Sequence, residues 1–492
     1  MIVMLRRHTW LFIVLILALI TRGYQLQARF LYSHDNDLAS WIVKDIVVDR
    51  HLRLIGQLTS SPGIFIGPLF YYLLIPFYLA ARMDPVGSLA FSLLVGLATV
   101  TSIYWVLNML FRRPTGSIAA LLYSVSFAVS QSEREVVPTT PVFFWSVWFF
   151  YAVSRLYSGH KSALYILAVL FALVWHLNLA LILLVPVIFP GIFIHRRSYR
   201  IRDLILSLVV FVILSAPLLL FEYRHGFIQS RSLVSSLATI GTKSGKVTQK
   251  FSRVALYAAR NSTAIFFPRA DGASLSVYLL PALCLIVIAL LALKKVIPSF
   301  TPLIIFAWIS LYLLFFAAHP IILSEYYLNG LNILWITSVA LFLSFLSRLP
   351  KTRLLTAIIL GLYLGYHLNV FLTSPINKSG YLEKKALVQA IALDSRLHGY
   401  PCVAVSYMTN PGYELGYRYF FYLAGLHVNQ PKSGSPVYTV VFPHPRANRL
   451  DNTFGALGLI MPDYSKYSAS EVKTSCSGDN ANLTDPMFGF TK

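Results

Sequence analysis

The sequence predicts an α-helical polytopic membrane protein with a small α/β domain outside the membrane. Of its 492 residues, only 12% are charged and 57% are apolar, and the mean hydropathy is +0.66. Soluble domains carry about 25% charged residues. Apolar runs approaching the roughly 20 residues that a membrane-spanning helix needs recur until about residue 372, after which the pattern becomes mixed and polar. This composition excludes an ordinary cytosolic enzyme and a disordered chain.

The net charge of +22 is interpreted first as a topology signal. Lys and Arg of membrane proteins gather in cytoplasmic loops and beside anionic lipids, so no nucleic-acid partner is predicted. Three cysteines (Cys284, Cys402 and Cys476) at unrelated spacings exclude a disulfide scaffold and offer no metal-ligand cluster. For Cys402 and Cys476 the sequence allows either a disulfide or two thiols.

The positions of the basic clusters predict the direction in which each apolar run crosses the membrane. The first run follows Arg6 and Arg7 and lacks a small-residue cleavage site, which predicts an uncleaved anchor with a cytoplasmic N-terminus in the plasma (inner) membrane. Later basic clusters recur after every second run. The spans are predicted near residues 10–20, 86–110, 115–130, 139–157, 163–177, 179–194, 203–221, 275–293, 300–317, 327–347 and 354–372.

Residues 69–81 are the ambiguous segment. If they crossed the membrane, Arg112 and Arg113 would lie outside, against the positive-inside bias. We therefore expect a non-spanning or re-entrant segment there, which leaves 11 spans within a predicted range of about 11 to 13 transmembrane helices.

This topology predicts two domains. Residues 1–375 form the transmembrane domain, with a first external loop at 23–63 and a long external loop at 222–273. Residues 376–492 form the exterior α/β domain. Its pattern predicts a helix over 381–397, a strand over 402–407, an aromatic helix over 412–426 and a strand over 437–442.

The most informative motif is Ser33-His34-Asp35-Asn36-Asp37 in the first external loop. Carboxylates at a membrane boundary can be solvated helix caps, and Asp37 could be the N-cap of a helix that begins near Leu38. Here, however, the acidic pair is followed by a return to the membrane through the Pro/Gly-rich and aromatic segment at 61–72. That combination is more specific than an isolated acidic pair.

This combination resembles the GT-C glycosyltransferases, especially the glycosyltransferase family 39 group with the protein O-mannosyltransferases and the aminoarabinose transferases of the bacterial cell envelope. The resemblance covers about residues 1–375. It implies transfer of a sugar, with inversion, from a polyprenyl-phosphate-linked donor to an acceptor hydroxyl of a protein, lipid or glycan. Asp35 matches the catalytic acid position and would be the general base. Because Asn36 follows it where the family more often has Glu, Asp37 is the second catalytic candidate.

Glu133, Arg134 and Glu135 form a second charged cluster in a short external loop. Family members place a charged residue in the equivalent loop, so Glu133 and Glu135 are candidates for substrate binding and Arg134 for the donor phosphate. The alternative is a solvated loop whose charges pair with one another.

Arg224 and His225 follow a span on the outer side and are candidates for binding the donor phosphate. The alternative is an interfacial anchor together with Tyr223. Residues 222–273 carry eight Lys or Arg against two acids, which an anionic donor would favour. Within this segment, residues 251–260 are predicted to form a short amphipathic helix lying on the membrane surface.

Four further residues lie on the same predicted outer side of the membrane: His176, His319, Glu325 and Tyr326. Each is a candidate for substrate binding, because ionisable groups near membrane-spanning segments are often functional. For His176 the alternative is a hydrogen-bonded packing residue.

No Walker A sequence, Rossmann glycine pattern or His-Glu-x-x-His motif is present, so nucleotide, nicotinamide and zinc chemistry lack support. No obligatory cofactor is predicted, and a divalent metal ion held by acids near the donor phosphate is left open. The expected partners are the lipid-linked donor, membrane lipids and an acceptor of unknown identity. The alternatives are a polytopic transporter and a lipid-linked oligosaccharide flippase or ligase.

Overall fold

A computed structural model of the protein describes residues 2–111, 113–238, 247–269, 275–319, 323, 325–443, 449–477 and 480. Arg112, which belongs to a predicted cytoplasmic cluster, and most of the C-terminal tail lie outside these ranges. So do parts of the long external loop, including Lys243, Lys246 and Asp271.

Helices make up most of the described chain. They are α1 (Ile2–Gly23), α2 (His34–Val47), α3 (Leu69–Ala80), α4 (Ser88–Leu110), α5 (Thr115–Val125), α6 (Phe127–Glu133), α7 (Val142–Tyr157), α8 (Ser162–Leu177), α9 (Val185–Ile194), α10 (Ile201–Arg224), α11 (Ile228–Ala238), α12 (Val247–Phe266), α13 (Leu279–Leu293), α14 (Phe300–Ala318), α15 (Asn332–Arg348), α16 (Arg353–Thr373), α17 (Tyr381–Leu397), α18 (Arg418–Leu423) and α19 (Ala469–Ser475). The strands are β1 (Cys402–Met408), β2 (His427–Asn429), β3 (Val437–Val441), β4 (Asn452–Phe454) and β5 (Leu457–Ile460).

Every predicted span coincides with helix. Among the described residues, six helices are long and apolar enough to cross a membrane: Pro85–Leu110, Ile201–Arg224, Ser276–Leu293, Phe300–Ala318, Tyr326–Arg348 and Pro350–Thr373. The other predicted spans contain shorter helices, and the one at 115–130 is divided at Ser126 between α5 and α6. The number of crossings and the side on which each terminus lies stay predictions.

The bundle is held together mainly by apolar packing. The ring of Trp145 stacks on Phe149 with centroids 4.9 Å apart, and Phe149 meets Trp308 edge to face. Ser146 donates to the carbonyl oxygen of Val142, one turn earlier in the same helix. Such back-bonding pairs the hydroxyl hydrogen within the same helix, which suits an apolar environment.

Helix α3 lies along the first external loop. Its Tyr78 hydroxyl is hydrogen-bonded to Ser40 of α2, at 2.8 Å. The turn that follows α3 contacts the C-terminal domain, where the Tyr381 hydroxyl donates to Asp84 at 2.6 Å. Before α3, the Gly67 N–H group donates to the carbonyl oxygen of Trp175. Contacts at both ends and along its length favour the expectation that residues 69–81 do not cross the membrane.

The C-terminal domain contains a five-stranded mixed sheet with the order β2-β1-β3-β5-β4. Strand β1 is parallel to β2 and β3, whereas β5 is antiparallel to β3 and β4. Helix α17 has the predicted bounds, but the aromatic helix expected over 412–426 is only the short α18, because Gly412 and Gly416 adopt positive φ angles that interrupt a helix. A disulfide joins Cys402 to Cys476, which settles the alternative left by the sequence.

The first external loop and the C-terminal domain share one hydrophobic cluster. Phe30 and Tyr32 pack against Tyr381, with centroids 5.7 and 6.3 Å apart. Tyr32 also lies 4.5 Å from the ring of Phe420, and Trp41 of α2 meets Tyr419 edge to face. The C-terminal domain therefore buries the segment that carries the acidic motif.

Helix α12 contains the amphipathic helix expected over residues 251–260. It is longer, and its Val254, Ala258 and Ala259 side chains are buried against the bundle. Near its end, the carbonyl oxygen of Ile265 accepts a hydrogen bond from Ser126. A helix with this much apolar surface on one face packs against protein here because neighbouring helices are available to cover that face.

Candidate functional site

The acidic motif forms the first turn of α2. The helix begins at His34, after Ser33, so Asp37 is not the N-cap expected from a start near Leu38. The Asn36 side chain accepts a hydrogen bond from the Ser33 backbone N–H at 2.8 Å and donates to the carbonyl oxygen of Val136 at 2.7 Å. Asn36 therefore ties the turn to the loop after α6, and the helix N-terminus favours both neighbouring carboxylates electrostatically.

Asp35 is half-buried, and its two carboxylate oxygens have different surroundings. The Gln57 side-chain amide donates to Oδ1 at 2.8 Å. Among the residues that the structure describes, Oδ2 has no hydrogen-bonding partner. Asp35 can therefore accept a proton or a hydrogen bond from a ligand without breaking its contact with Gln57.

Asp37 is buried, with only 2% of its surface exposed. Its Oδ1 accepts hydrogen bonds from the Tyr419 backbone N–H at 3.1 Å and from the Tyr32 hydroxyl at 3.4 Å. Burial raises the pKa of Asp37 to about 6, although the nearby cations Lys384 and Arg418 favour its charged form. Asp37 thus joins α2 to the C-terminal domain.

Glu133 lies in a buried ion pair. Its Oε2 is 2.6 Å from Arg22 Nε, both side chains are only 3% exposed, and the Tyr123 hydroxyl donates to Oε1 at 2.5 Å. Glu135, two residues later, is exposed, and its carbonyl oxygen accepts from Thr140. The two acids are therefore in different environments, and Glu133 is oriented towards helix α1.

Arg134 is also directed towards the end of α1. Its guanidinium donates to the carbonyl oxygens of Thr21, Arg22 and Tyr24. Burial, followed by the positive charges of Arg29 and Arg22, lowers the pKa of Arg134 to about 10. These contacts engage the cation with a helix C-terminus, where such a charge is electrostatically favourable.

Arg224 and His225 end helix α10, beside the first loop. Arg224 is exposed, whereas His225 stacks on Phe221 with centroids 4.1 Å apart. Phe221 also meets Phe65, two residues beyond the first loop, with centroids 5.9 Å apart. Tyr223 is 77% exposed, as expected of an interfacial anchor.

His176 is buried at the end of α8 and contacts the return of the first loop. Its Nδ1 accepts from the Leu69 backbone N–H at 3.3 Å. A side chain at position 67 would overlap the imidazole ring, so Gly67 permits this close approach. His176 therefore supports the loop in the manner of a hydrogen-bonded packing residue.

The remaining candidates lie after α14. The ring of His319 is buried and stacks on Phe315, and its carbonyl oxygen accepts from Lys250 of the long loop. Tyr326 is exposed, and its ring is tilted against that of Tyr327 with centroids 4.4 Å apart. The Glu325 side chain lies outside the described part of the chain.

The structure thus places several predicted residues around the first loop. Asp35 contacts that loop through Gln57, His176 supports its return at 67–69, and the end of α10 packs on Phe65. Tyr327, next to Tyr326, shares a hydrogen bond of 2.9 Å with Ser60 of the loop. Asp37 is directed towards the C-terminal domain, and Glu133 and Arg134 are directed towards the end of α1.

Two residues around Asp35 were not predicted: Gln57 and Tyr71. Within the described ranges, no group of three His, Cys, Asp or Glu side chains is placed to hold a metal ion. The divalent ion left open by the sequence stays a hypothesis.

Comparison with protein-family models and with curated protein sequences gives no match. Two crystal structures of ArnT from Cupriavidus metallidurans are similar to this chain. The form bound to undecaprenyl phosphate is 12% identical with a TM-score of 0.55, and the apo form is 14% identical with a TM-score of 0.56. Each alignment covers 94% of this chain and 99% of ArnT, and so extends beyond residues 1–375. The chain has the GT-C membrane fold.

Proposed function

We propose that the protein is an inverting glycosyltransferase of the plasma membrane. It would transfer a hexose or pentose from a polyprenyl-phosphate-linked donor to an acceptor hydroxyl of a protein, lipid or glycan. The cytoplasmic N-terminus and the exterior C-terminal domain belong to this proposal and place the reaction on the outer face. The carboxylate of Asp35 supports it most directly, since one oxygen is held and the other is open to a ligand. The fold shared with ArnT, one structure of which contains undecaprenyl phosphate, supports the donor class.

In the proposed reaction, Asp35 is the general base. The acceptor hydroxyl would lie about 2.6 to 3.2 Å from Oδ2 and transfer its proton there as its oxygen attacks the anomeric carbon. The bond between that carbon and the phosphate oxygen breaks, and its electron pair leaves with the lipid phosphate. Attack opposite the leaving group inverts the anomeric centre.

Arg224 is the proposed cation for the leaving phosphate. It is exposed at the end of α10, one turn beyond the Phe221 ring that packs on Phe65. A guanidinium offers a planar pair of donors for phosphate oxygens, and a fixed cation stabilises the negative charge that develops on the leaving group. His225 would help to align this end of the helix through its stacking on Phe221.

The test compares Asp35→Asn with Asp37→Asn in protein reconstituted into lipid nanodiscs. The probes are undecaprenyl-phosphate-linked hexoses and pentoses with an envelope extract as acceptor, and mass spectrometry measures released undecaprenyl phosphate and the glycosylated product. We expect Asp35→Asn to lower the rate at least about 100-fold, as loss of a general base does. Asp37→Asn should keep most of the rate, because an Asn oxygen can still accept from the Tyr419 N–H.

Wild-type transfer by Asp35→Asn would show that Asp35 is not the base, and loss only in Asp37→Asn would reassign that role. Proteoliposomes separate transfer from the transport alternative. A transporter or flippase would move the lipid-linked sugar across the bilayer with the bond between sugar and phosphate intact.

A further inference from the structure

The Gln57 side chain lies between Asp35 and Tyr71. Its Nε2 donates to Asp35 Oδ1 at 2.8 Å, and its Oε1 accepts from the Tyr71 hydroxyl at 3.2 Å. Gln57 is 7% exposed and Tyr71 is fully buried, so solvent has little access to either contact. The three polar groups form one chain that ends at the carboxylate.

The hydrogen bonds from Tyr71 through Gln57 to Asp35 all run in one direction. A carboxylate accepts hydrogen bonds only, so the amide must present its NH₂ group to Asp35. The other end of the amide is then a carbonyl oxygen, which needs a donor, and the phenolic hydroxyl of Tyr71 supplies one. Because the Tyr71 hydroxyl binds the oxygen, it selects the amide orientation that places the N–H donors towards Asp35.

The backbone around Gln57 holds this arrangement in place. The Gly56 N–H donates to the carbonyl oxygen of Ile66 at 2.6 Å, and the Ile66 N–H donates to the carbonyl oxygen of Gln57 at 3.0 Å. These bonds pair the two arms of a short hairpin over residues 56–66. A Cβ atom at position 56 would overlap the Tyr71 ring, so Gly56 allows the ring to approach this hairpin. The hairpin and α3 are therefore closely packed where the amide sits.

We propose that Gln57 is a positioning residue that fixes the carboxylate of Asp35, with Tyr71 fixing Gln57 in turn. The inference rests on the proposed function, in which Asp35 is the general base. The terminal torsion of an Asp side chain is broad, so a carboxylate without a fixed partner samples many orientations. By binding Oδ1, Gln57 directs Oδ2 towards the acceptor hydroxyl.

The main variants are Gln57→Leu and Tyr71→Phe, each with a matched control. Tyr72→Phe is the control for Tyr71→Phe, because the adjacent Tyr72 hydroxyl also bonds the first loop but does so at the Arg53 backbone. Gln389→Leu is the control for Gln57→Leu, because Gln389 is an exposed residue of α17. Both controls retain the contacts of Asp35.

The first measurement is the steady-state rate with the undecaprenyl-phosphate-linked sugar that the wild type uses. We expect Gln57→Leu to lower kcat about 100-fold with the donor KM within about twofold, because misplacement of a reacting group acts on the transition state. Tyr71→Phe should lower kcat about 10-fold. In the Asp35→Asn background, Gln57→Leu should cause no further loss, whereas a general loss of structure would lower the residual rate again.

The second measurement does not depend on transfer. Dicyclohexylcarbodiimide adds to protonated carboxyl groups in apolar surroundings, and peptide mass spectrometry measures its addition to Asp35, with Asp35→Asn as the blank. A carboxylate oxygen that is hydrogen-bonded to Gln57 is less available to the reagent than one that has lost this donor. We expect addition to Asp35 to be several times faster in Gln57→Leu, somewhat faster in Tyr71→Phe and unchanged in both controls.

A wild-type kcat and a wild-type labelling rate in Gln57→Leu would overturn the inference. Equal losses in Tyr71→Phe and Tyr72→Phe would also overturn it, since both hydroxyls would then act only by holding the loop. If the wild type transfers none of the offered sugars, the proposed function fails, and labelling alone decides whether Gln57 positions Asp35.

Discussion

Asp35 and Asp37 are two residues apart, and helix geometry gives them separate surroundings. Each helical residue turns about 100°, so positions i and i+2 point to nearly opposite sides. One carboxylate faces Gln57 and the hairpin, and the other faces the Tyr419 backbone. The same short motif thus supplies a ligand-accessible acid and an acid that fastens the C-terminal domain.

The ion pair between Glu133 and Arg22 leads to a prediction about stability. Glu133→Gln leaves the buried Arg22 cation without its counter-charge. Breaking a buried pair by removing one partner costs about 3 to 5 kcal/mol, so we expect a clearly lower midpoint of thermal unfolding in detergent. Glu135→Gln, in the exposed neighbour, is the control and should leave the midpoint nearly unchanged. Equal midpoints for the two variants would contradict the structural role of Glu133.

The site residues that could be predicted from the sequence are those that stand in a local motif. Asp35 stands in a recognisable motif beside a membrane boundary. Gln57 carries no such signal, because its contact joins residues 22 positions apart and depends on the register of a hairpin. Neither periodicity nor composition encodes that register in a loop with little alternation.

Helix α3 shows what hydrogen bonds add to the interpretation of a short apolar run. Its 12 residues span only about 18 Å at 1.5 Å per residue, against about 30 Å of hydrocarbon. Three tyrosines also bond the first loop or α2: Tyr71, Tyr72 and Tyr78. The basic clusters predicted that this segment does not cross the membrane, and these hydrogen bonds agree with that expectation, which stays a prediction.

The placement of α3 predicts the side from which its flanking residues are accessible. In a Cys284→Ser background, we expect Ser60→Cys and Arg82→Cys, which flank α3, to react with a membrane-impermeant maleimide from the same side of intact cells. Lys161→Cys, in a predicted cytoplasmic loop, should react only after permeabilisation. All three native side chains lie at exposed positions. Labelling of Ser60→Cys and Arg82→Cys from opposite sides would show that α3 crosses the membrane.

At the scale of the whole molecule, the first loop and the C-terminal domain fold against one another. The cluster around Phe30, Tyr32 and Tyr381 joins segments about 350 positions apart, as does the Lys384 contact with Tyr32. The sequence predicted α17 and two of the strands because their patterns are local. It could not predict this docking, because aromatic residues on each segment are equally compatible with separate small cores.

Lys384 is the polar centre of the contact between the first loop and the C-terminal domain. Its buried ammonium donates to the carbonyl oxygens of Tyr32 at 3.0 Å and Leu415 at 3.1 Å, so it links α17 to the segment just before α2. Lys384→Met keeps the length of the side chain but leaves both carbonyl groups without this donor, at about 1 to 3 kcal/mol for each buried group. We expect faster proteolysis near residues 374–380, and slower sugar transfer because the first turn of α2 is less firmly held. Lys473→Met changes the same residue type at an exposed position of α19, away from the cleaved segment, and should match the wild type. If the two variants are cleaved and turn over at the same rate, the C-terminal domain does not hold the acidic motif through Lys384.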